Sequence, residues 1–114
     1  MNFETRLVGN VTVFKLNEKR LDTSISGLLK GEFTMILKVE GVNKLIIDLS
    51  EVESCDSSGL SAILVANRIV SANEGQIRLA APSEKVRTLI RITQLDRVLT
   101  VTDTVEHALA ELGK

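Results

Sequence analysis

The chain switches repeatedly between two hydrophobic periods. Over residues 3–8 and 11–16 (FETRLV and VTVFKL) apolar and β-branched side chains alternate imperfectly with polar ones. The two runs meet at Gly9-Asn10, a two-residue loop of the kind that closes a primed hairpin turn, which predicts an antiparallel pair. From Ser24 to Val39 the period lengthens to that of a helix. Ile25, Leu28, Leu29, Phe33, Ile36 and Leu37 fall on one face, with Lys30, Glu32 and Lys38 elsewhere. Gly27 and Gly31 lie inside this helix, either to let another element approach closely or simply tolerated at about 1 kcal/mol each relative to alanine. Gly41 is the expected stop.

Lys44–Leu49 (KLIIDL) is almost continuously apolar, as a strand covered on both faces should be. Residues 57–73 return to the helical period through Leu60, Ile63, Leu64 and Val70, and Gly75 closes that helix. Gln76–Ala80 predicts a short strand, and Pro82-Ser83 opens a helix carrying Val86, Leu89 and Ile90. Leu99–Thr102 predicts a last strand. Asp103, with Glu106 three residues on, has the spacing of a capping box at the start of a final helix bearing Val105, Ala108, Leu109 and Leu112. The order ββαβαβαβα predicts one small α/β domain over residues 1–114. Its sheet is mixed, mostly parallel and five-stranded, with an N-terminal β-hairpin and about four helices.

Composition narrows the function. Of 114 residues 44 % are hydrophobic and 25 % charged, and three Phe with no Trp or Tyr leave the core to aliphatic side chains. Fourteen basic and fifteen acidic residues give a formal charge of −1. With neither a basic stripe nor stacking aromatics, nucleic acid is not an expected partner. The lone Cys55 excludes an internal disulfide and a cysteine-based zinc site, and any catalytic triad or histidine-anchored metal would have to use His107. The N-terminus lacks the pattern of a signal peptide, and no run reaches the roughly 18 apolar residues of a membrane span. The expectation is a soluble, reduced, cytoplasmic domain with no membrane partner.

The most informative stretch runs from Asp48-Leu49-Ser50 to Asp56-Ser57-Ser58-Gly59-Leu60, between the carboxyl end of the apolar strand and the next helix. Ligand and reaction sites of open α/β sheets collect there, and a helix N-terminus favours an anion. Asp and Ser are also preferred helix caps. A single cap accounts for one polar residue, whereas an acid and two serines precede this glycine.

The run LIIDLSEVESCDSSGLSAIL resembles the signature of STAS domains, the fold shared by anti-sigma factor antagonists and the tails of sulfate transporters. The likeness extends from the hairpin through Leu21-Asp22 to the final helix. It implies an anti-sigma factor antagonist, a protein-binding module and not an enzyme. Unphosphorylated, it would bind an anti-sigma factor serine/threonine kinase and so release the sigma factor. The kinase, using its own ATP, would inactivate it by phosphorylating Ser57, the hydroxyl after the motif's Asp, and a metal-dependent serine phosphatase would restore it. The partner-binding residues implied are Asp22, Asp56, Ser57, Ser58 and Gly59, with no cofactor of the domain's own. Adding roughly −1.5 to −2 charges at Ser57 would repel an acidic or closely packed partner, while the helix N-terminus accommodates the charge within the domain. Lys19-Arg20 before Leu21-Asp22, and Ser54-Cys55 before Asp56, depart from the family's usual Gly-Glu-like and apolar pairs, altering the surface a kinase would meet.

Two alternatives stand beside this reading. One is a non-switching STAS scaffold subunit of a signalling or lipid-transport complex, with Ser57 serving only as a cap. The other is an enzyme with Ser57 as nucleophile, disfavoured because no GxSxG elbow is present and His107 lies on a distant helix. Asp22 is either a helix cap or a neighbour of Ser57. Cys55 is a small, partly buried residue or, near a helix N-terminus, an activated thiol. Lys15, Lys19 and Arg20 form a small basic patch. Arg87, Arg91 and Arg97 are expected on exposed surface.

Overall fold

The structure, a computed structural model, describes residues 1–113. Strands β1 (Phe3–Val8) and β2 (Val11–Leu16) form the hairpin, pairing from Phe3 opposite Leu16 to Val8 opposite Val11. Gly9 takes the positive φ of +61° that a tight turn requires. Then follow β3 (Arg20–Leu21), α1 (Thr23–Phe33), β4 (Lys44–Asp48), β5 (Ser54–Cys55), α2 (Ser57–Ala72), β6 (Gln76–Ala80), α3 (Glu84–Ile92), β7 (Thr100–Thr102) and α4 (Val105–Leu112). The main sheet has the order β1-β2-β4-β6-β7, antiparallel only in the hairpin. The expected class, a five-stranded mostly parallel sheet with four α-helices, is what forms. The expected strands and helices recur within a few residues.

Alternation along the strands divides the core. Phe14, Leu16, Leu45, Ile47, Ile77 and Leu79 face the buried sides of α1, α2 and α3. Val11, Val13, Ile46 and Ala80 face Val105, Ala108 and Leu112 of α4 on the other side. β4 has partners on both faces, which is why its sequence is nearly all apolar. Phe14 stacks on Phe3 with centroids 4.8 Å apart and meets Phe33 at 4.9 Å, tying the hairpin to α1.

Several local expectations are corrected. The helix predicted over Ser24–Val39 is α-helical only to Phe33. A π-helical turn, Thr34–Lys38, follows. Thr34 Oγ1 donates back to the Lys30 carbonyl at 2.8 Å, a bond that competes with regular helix geometry. Leu28 is 59 % exposed while Ser26 is buried. At 100° per residue the buried stripe through Ile25, Leu29, Phe33 and Leu37 centres about 120° away from Leu28, and Ser26 falls within it. A Cβ at Gly27 or Gly31 would meet nothing within 4 Å, so neither serves a close approach. The final helix is capped by Thr104, whose Oγ1 accepts from His107 N at 3.0 Å, not by Asp103. Asp103 instead accepts from half-buried Arg87 at 2.9 Å, so Arg87 is ion-paired, while Arg91 and Arg97 are exposed as expected. Ser83 caps α3, accepting from Val86 N at 3.2 Å.

Candidate functional site

The periodicity did not reveal β3 and β5, two-residue strands forming a separate parallel sheet in which Arg20 faces Ser54 and Leu21 faces Cys55. Glu53 N and Ser54 N donate to the Lys19 carbonyl at 2.7 and 3.2 Å, and Asp56 N donates to that of Leu21 at 3.2 Å. One residue beyond each strand stands an aspartate, Asp22 or Asp56. Each has extended backbone and begins a helix, so the two helix N-termini lie side by side.

The two caps are built alike. Asp22 Oδ1 accepts from Ser24 N at 3.0 Å and from Ser24 Oγ at 2.5 Å. Asp56 Oδ1 accepts from Gly59 N at 3.0 Å and from Ser58 Oγ at 2.6 Å. The serine hydroxyl foremost, then the backbone amide, holds each carboxyl below the usual carboxylate range. At Asp22 the neighbouring Arg20 adds to this lowering, and the charge of Asp56 opposes it. Both acids are therefore anions at neutral pH, close enough to sense one another.

Gly59 holds this arrangement together. A Cβ there would stand 2.6 Å from Leu21 Cγ and 2.9 Å from Cys55 Sγ, and closer still to the Leu21 carbonyl oxygen. The first turn of α2 packs directly on β3 because residue 59 has no side chain. Leu21 is fully buried beneath it.

The two serines differ. Ser58 is half-buried and donates to Asp56. Ser57 is exposed, and its hydroxyl has no hydrogen-bond partner among the described residues. Asp22, Asp56, Ser57 and Ser58 thus come together at one surface, whereas Gly59, expected among the partner-binding residues, is buried beneath it. Cys55 is not an activated thiol. Burial, then the charges of Asp56 and Asp22, push it up to about 12. Its Sγ lies 3.3 Å from the Asp56 carbonyl oxygen. His107 sits on α4, across the main sheet from α2, with Nε2 3.5 Å from Glu111 Oε2. It does not reach Ser57. Of the basic patch, Lys15 lies 3.8 Å from Glu51, and Lys19 and Arg20 are exposed beside the site. Among the described residues no cluster of His, Cys, Asp or Glu could hold a metal ion, and no helix is long and apolar enough to cross a membrane.

A signal for the paired caps was present in the sequence. Leu21-Asp22-Thr23-Ser24 and Cys55-Asp56-Ser57-Ser58 share one pattern, a buried or half-buried residue, then Asp, then two hydroxyls. The repeated motif marks two similar helix starts, the first carboxylate accepting from the amide two residues on and the second from the amide three residues on.

The prominent feature of this α/β domain is a pair of neighbouring helix starts and not a cleft. The family model for the STAS domain matches residues 2–108, and the chain belongs to that family. A Thermotoga maritima protein named "Putative anti-sigma factor antagonist" is 32 % identical over 98 % of both chains. A crystal structure bearing that description, from the same organism, superposes with a TM-score of 0.87 at 30 % identity, covering 98 % of this chain and 95 % of that one. Bacillus SpoIIAA in its phosphorylated form shares the fold with a TM-score of 0.71 at 20 % identity, covering 96 % and 98 %.

Proposed function

We propose that this STAS domain is an anti-sigma factor antagonist whose binding is switched by phosphorylation of Ser57. Unphosphorylated, it binds an anti-sigma factor serine/threonine kinase through Asp22, Asp56, Ser57 and Ser58, held in place by the buried Gly59, and the sigma factor is released. The kinase transfers the γ-phosphoryl group of its own ATP to Ser57 Oγ, and a metal-dependent serine phosphatase removes it. The supporting observation is the division of labour between the serines. Ser58 is committed to the Asp56 carboxylate, whereas Ser57 offers an exposed hydroxyl that the fold does not use.

In this reading the Asp56 cap bears on how the switch works. The Gly59 amide is already taken by Asp56, and Asp22 stands beside it. A phosphate on Ser57 adjoins the Asp56 carboxylate, which has Asp22 beside it, so repulsion turns its charge outward to the partner. A coupling of about 1–3 kcal/mol corresponds to roughly 5–150-fold in affinity.

The test is intact-mass and peptide mass spectrometry on protein from its native cell, beside Ser57→Ala, followed by kinase pull-downs with Ser57→Ala and Ser57→Asp. The expected result is a phosphate that Ser57→Ala abolishes and a kinase retained by the alanine form and lost by the aspartate form. Phosphate on Ser58 alone would overturn the residue assignment. No phosphate in growth or stress would overturn the switch in favour of a scaffold.

A further inference from the structure

The outer edge of β1 is unpaired in the main sheet, and five of its six residues are exposed. Leu7 is 71 % exposed and Val8 36 % exposed, so the edge is neither short nor covered, and its charges are of both signs, Glu4 and Arg6. Asn17 N donates to the Asn2 carbonyl at 2.9 Å, which fixes the phase of the hairpin ladder. Even-numbered residues of β1 direct their main-chain groups to β2, and Phe3, Thr5 and Leu7 direct theirs outward.

We propose that β1 is a self-complementary docking edge for a second copy of this chain, paired antiparallel about Thr5. In that register Thr5 faces the partner's Thr5 and Phe3 faces the partner's Leu7. All the outward main-chain groups meet outward groups, giving about six intermolecular hydrogen bonds. Glu4 then faces the partner's Arg6, and Arg6 faces the partner's Glu4, in the closer, non-hydrogen-bonded positions where opposite charges interact best. Phe3 and Leu7 share the face on which Phe3 stacks on Phe14, so the pairing covers Leu7 with apolar surface. Thr5, Leu7 and Ile36 border a cleft of about 240 Å³ on this side. A register shifted by one residue would bring inward-directed groups to the edge, and one shifted by two would lose the charge match. Asp22, Asp56 and Ser57 lie on other elements, so this association leaves them in place.

Sedimentation equilibrium over a micromolar-to-millimolar range of chain concentration tests the register. The wild type should approach twice the 12.5 kDa chain mass with a roughly micromolar dissociation constant, as small interfaces give. Glu4→Arg and Arg6→Glu alone each set like charges opposite one another, and each should stay monomeric. An equimolar mixture of the two restores both opposite-charge pairs and should recover the dimer. Thr5→Pro removes only an outward N–H and should be monomeric with an unchanged far-UV spectrum. A wild type that stays monomeric throughout overturns the proposal. So does a dimer that survives both single charge reversals or Thr5→Pro, and so does a mixture that fails to reassociate.

Discussion

Gly59→Ala is the sharpest test of how the paired caps are assembled. The added methyl would stand 2.6 Å from Leu21 Cγ and 2.9 Å from Cys55 Sγ, with the Leu21 carbonyl nearer still. Leu21 cannot yield easily. It is fully buried, and its carbonyl accepts from Asp56 N, so moving it disturbs the ladder that aligns the caps. Overpacking of this kind costs typically about 1–3 kcal/mol, and a backbone neighbour puts the case at the upper end. The gain in helix propensity, about 1 kcal/mol in a helix interior, is smaller in a first turn. The expected net loss is about 2 kcal/mol, a fall in melting temperature of roughly 8 °C for a chain of this size. Gly27→Ala and Gly31→Ala are the matched controls. Nothing lies within 4 Å of either position, both are helical and neither has positive φ, so each should gain up to about 1 kcal/mol. Urea unfolding followed by circular dichroism reads all three. If Gly59→Ala is as stable as the wild type, or the controls are equally destabilised, close packing of α2 on β3 is not what residue 59 provides.

Three other outcomes follow from the site. Ser57→Ala should change stability by less than about 0.5 kcal/mol, because the hydroxyl is exposed and unbonded, whereas Ser58→Ala, which takes a donor from Asp56, should lower the urea midpoint measurably. Asp22 and Asp56 have folded-state pKa values below their unfolded ones. Their stabilisation is full above the unfolded value of about 4 and disappears as pH falls through the folded values. Urea midpoints measured between about pH 2 and 7 should show an acid limb that Asp22→Asn with Asp56→Asn makes shallower. Cys55, with a thiol pushed to about 12, should react with iodoacetamide at pH 8 about a thousandfold more slowly than an ordinary cysteine. Unfolding in urea should restore the ordinary rate.

The parts of the fold that were legible in sequence are those whose burial repeats over several turns or pleats. β4 announced itself because both of its faces are covered, and α2 because Leu60, Ile63 and Val70 keep the helical period. The hairpin was legible through Gly9-Asn10, whose backbone requirement is local. What escaped was too short to have a period. β3 and β5 contribute two residues each, and their order comes from main-chain bonds to Lys19 and Leu21 that leave no mark on side-chain identity. Leu28 was misplaced because it stands three residues after Ile25, a helical spacing that says nothing of which side of Ile25 the stripe continues on. Asp103 looked like a cap because its competing partner, Arg87, lies on another helix.

The candidate site shows the same contrast. Asp56-Ser57-Ser58-Gly59 stood out as a local motif, but local reasoning could not distinguish a cap from a functional feature, since Asp56 and Ser58 do form a cap. What the cap leaves over is Ser57. A cap needs one acceptor, supplied by Asp56, and Ser58 Oγ steadies it, so Ser57 contributes nothing to either bond. Asp22 resolves in the same way. It caps α1, and because Leu21 pairs with Cys55 it also stands beside Asp56, the residue before Ser57. Two helices that began apart on the surface would need only two caps. Bringing their starts together costs repulsion between two carboxylates held as anions, and requires a glycine at 59 that a freely placed helix would not. The fold accepts both, and a single small patch thereby carries two fixed negative charges and one unused hydroxyl.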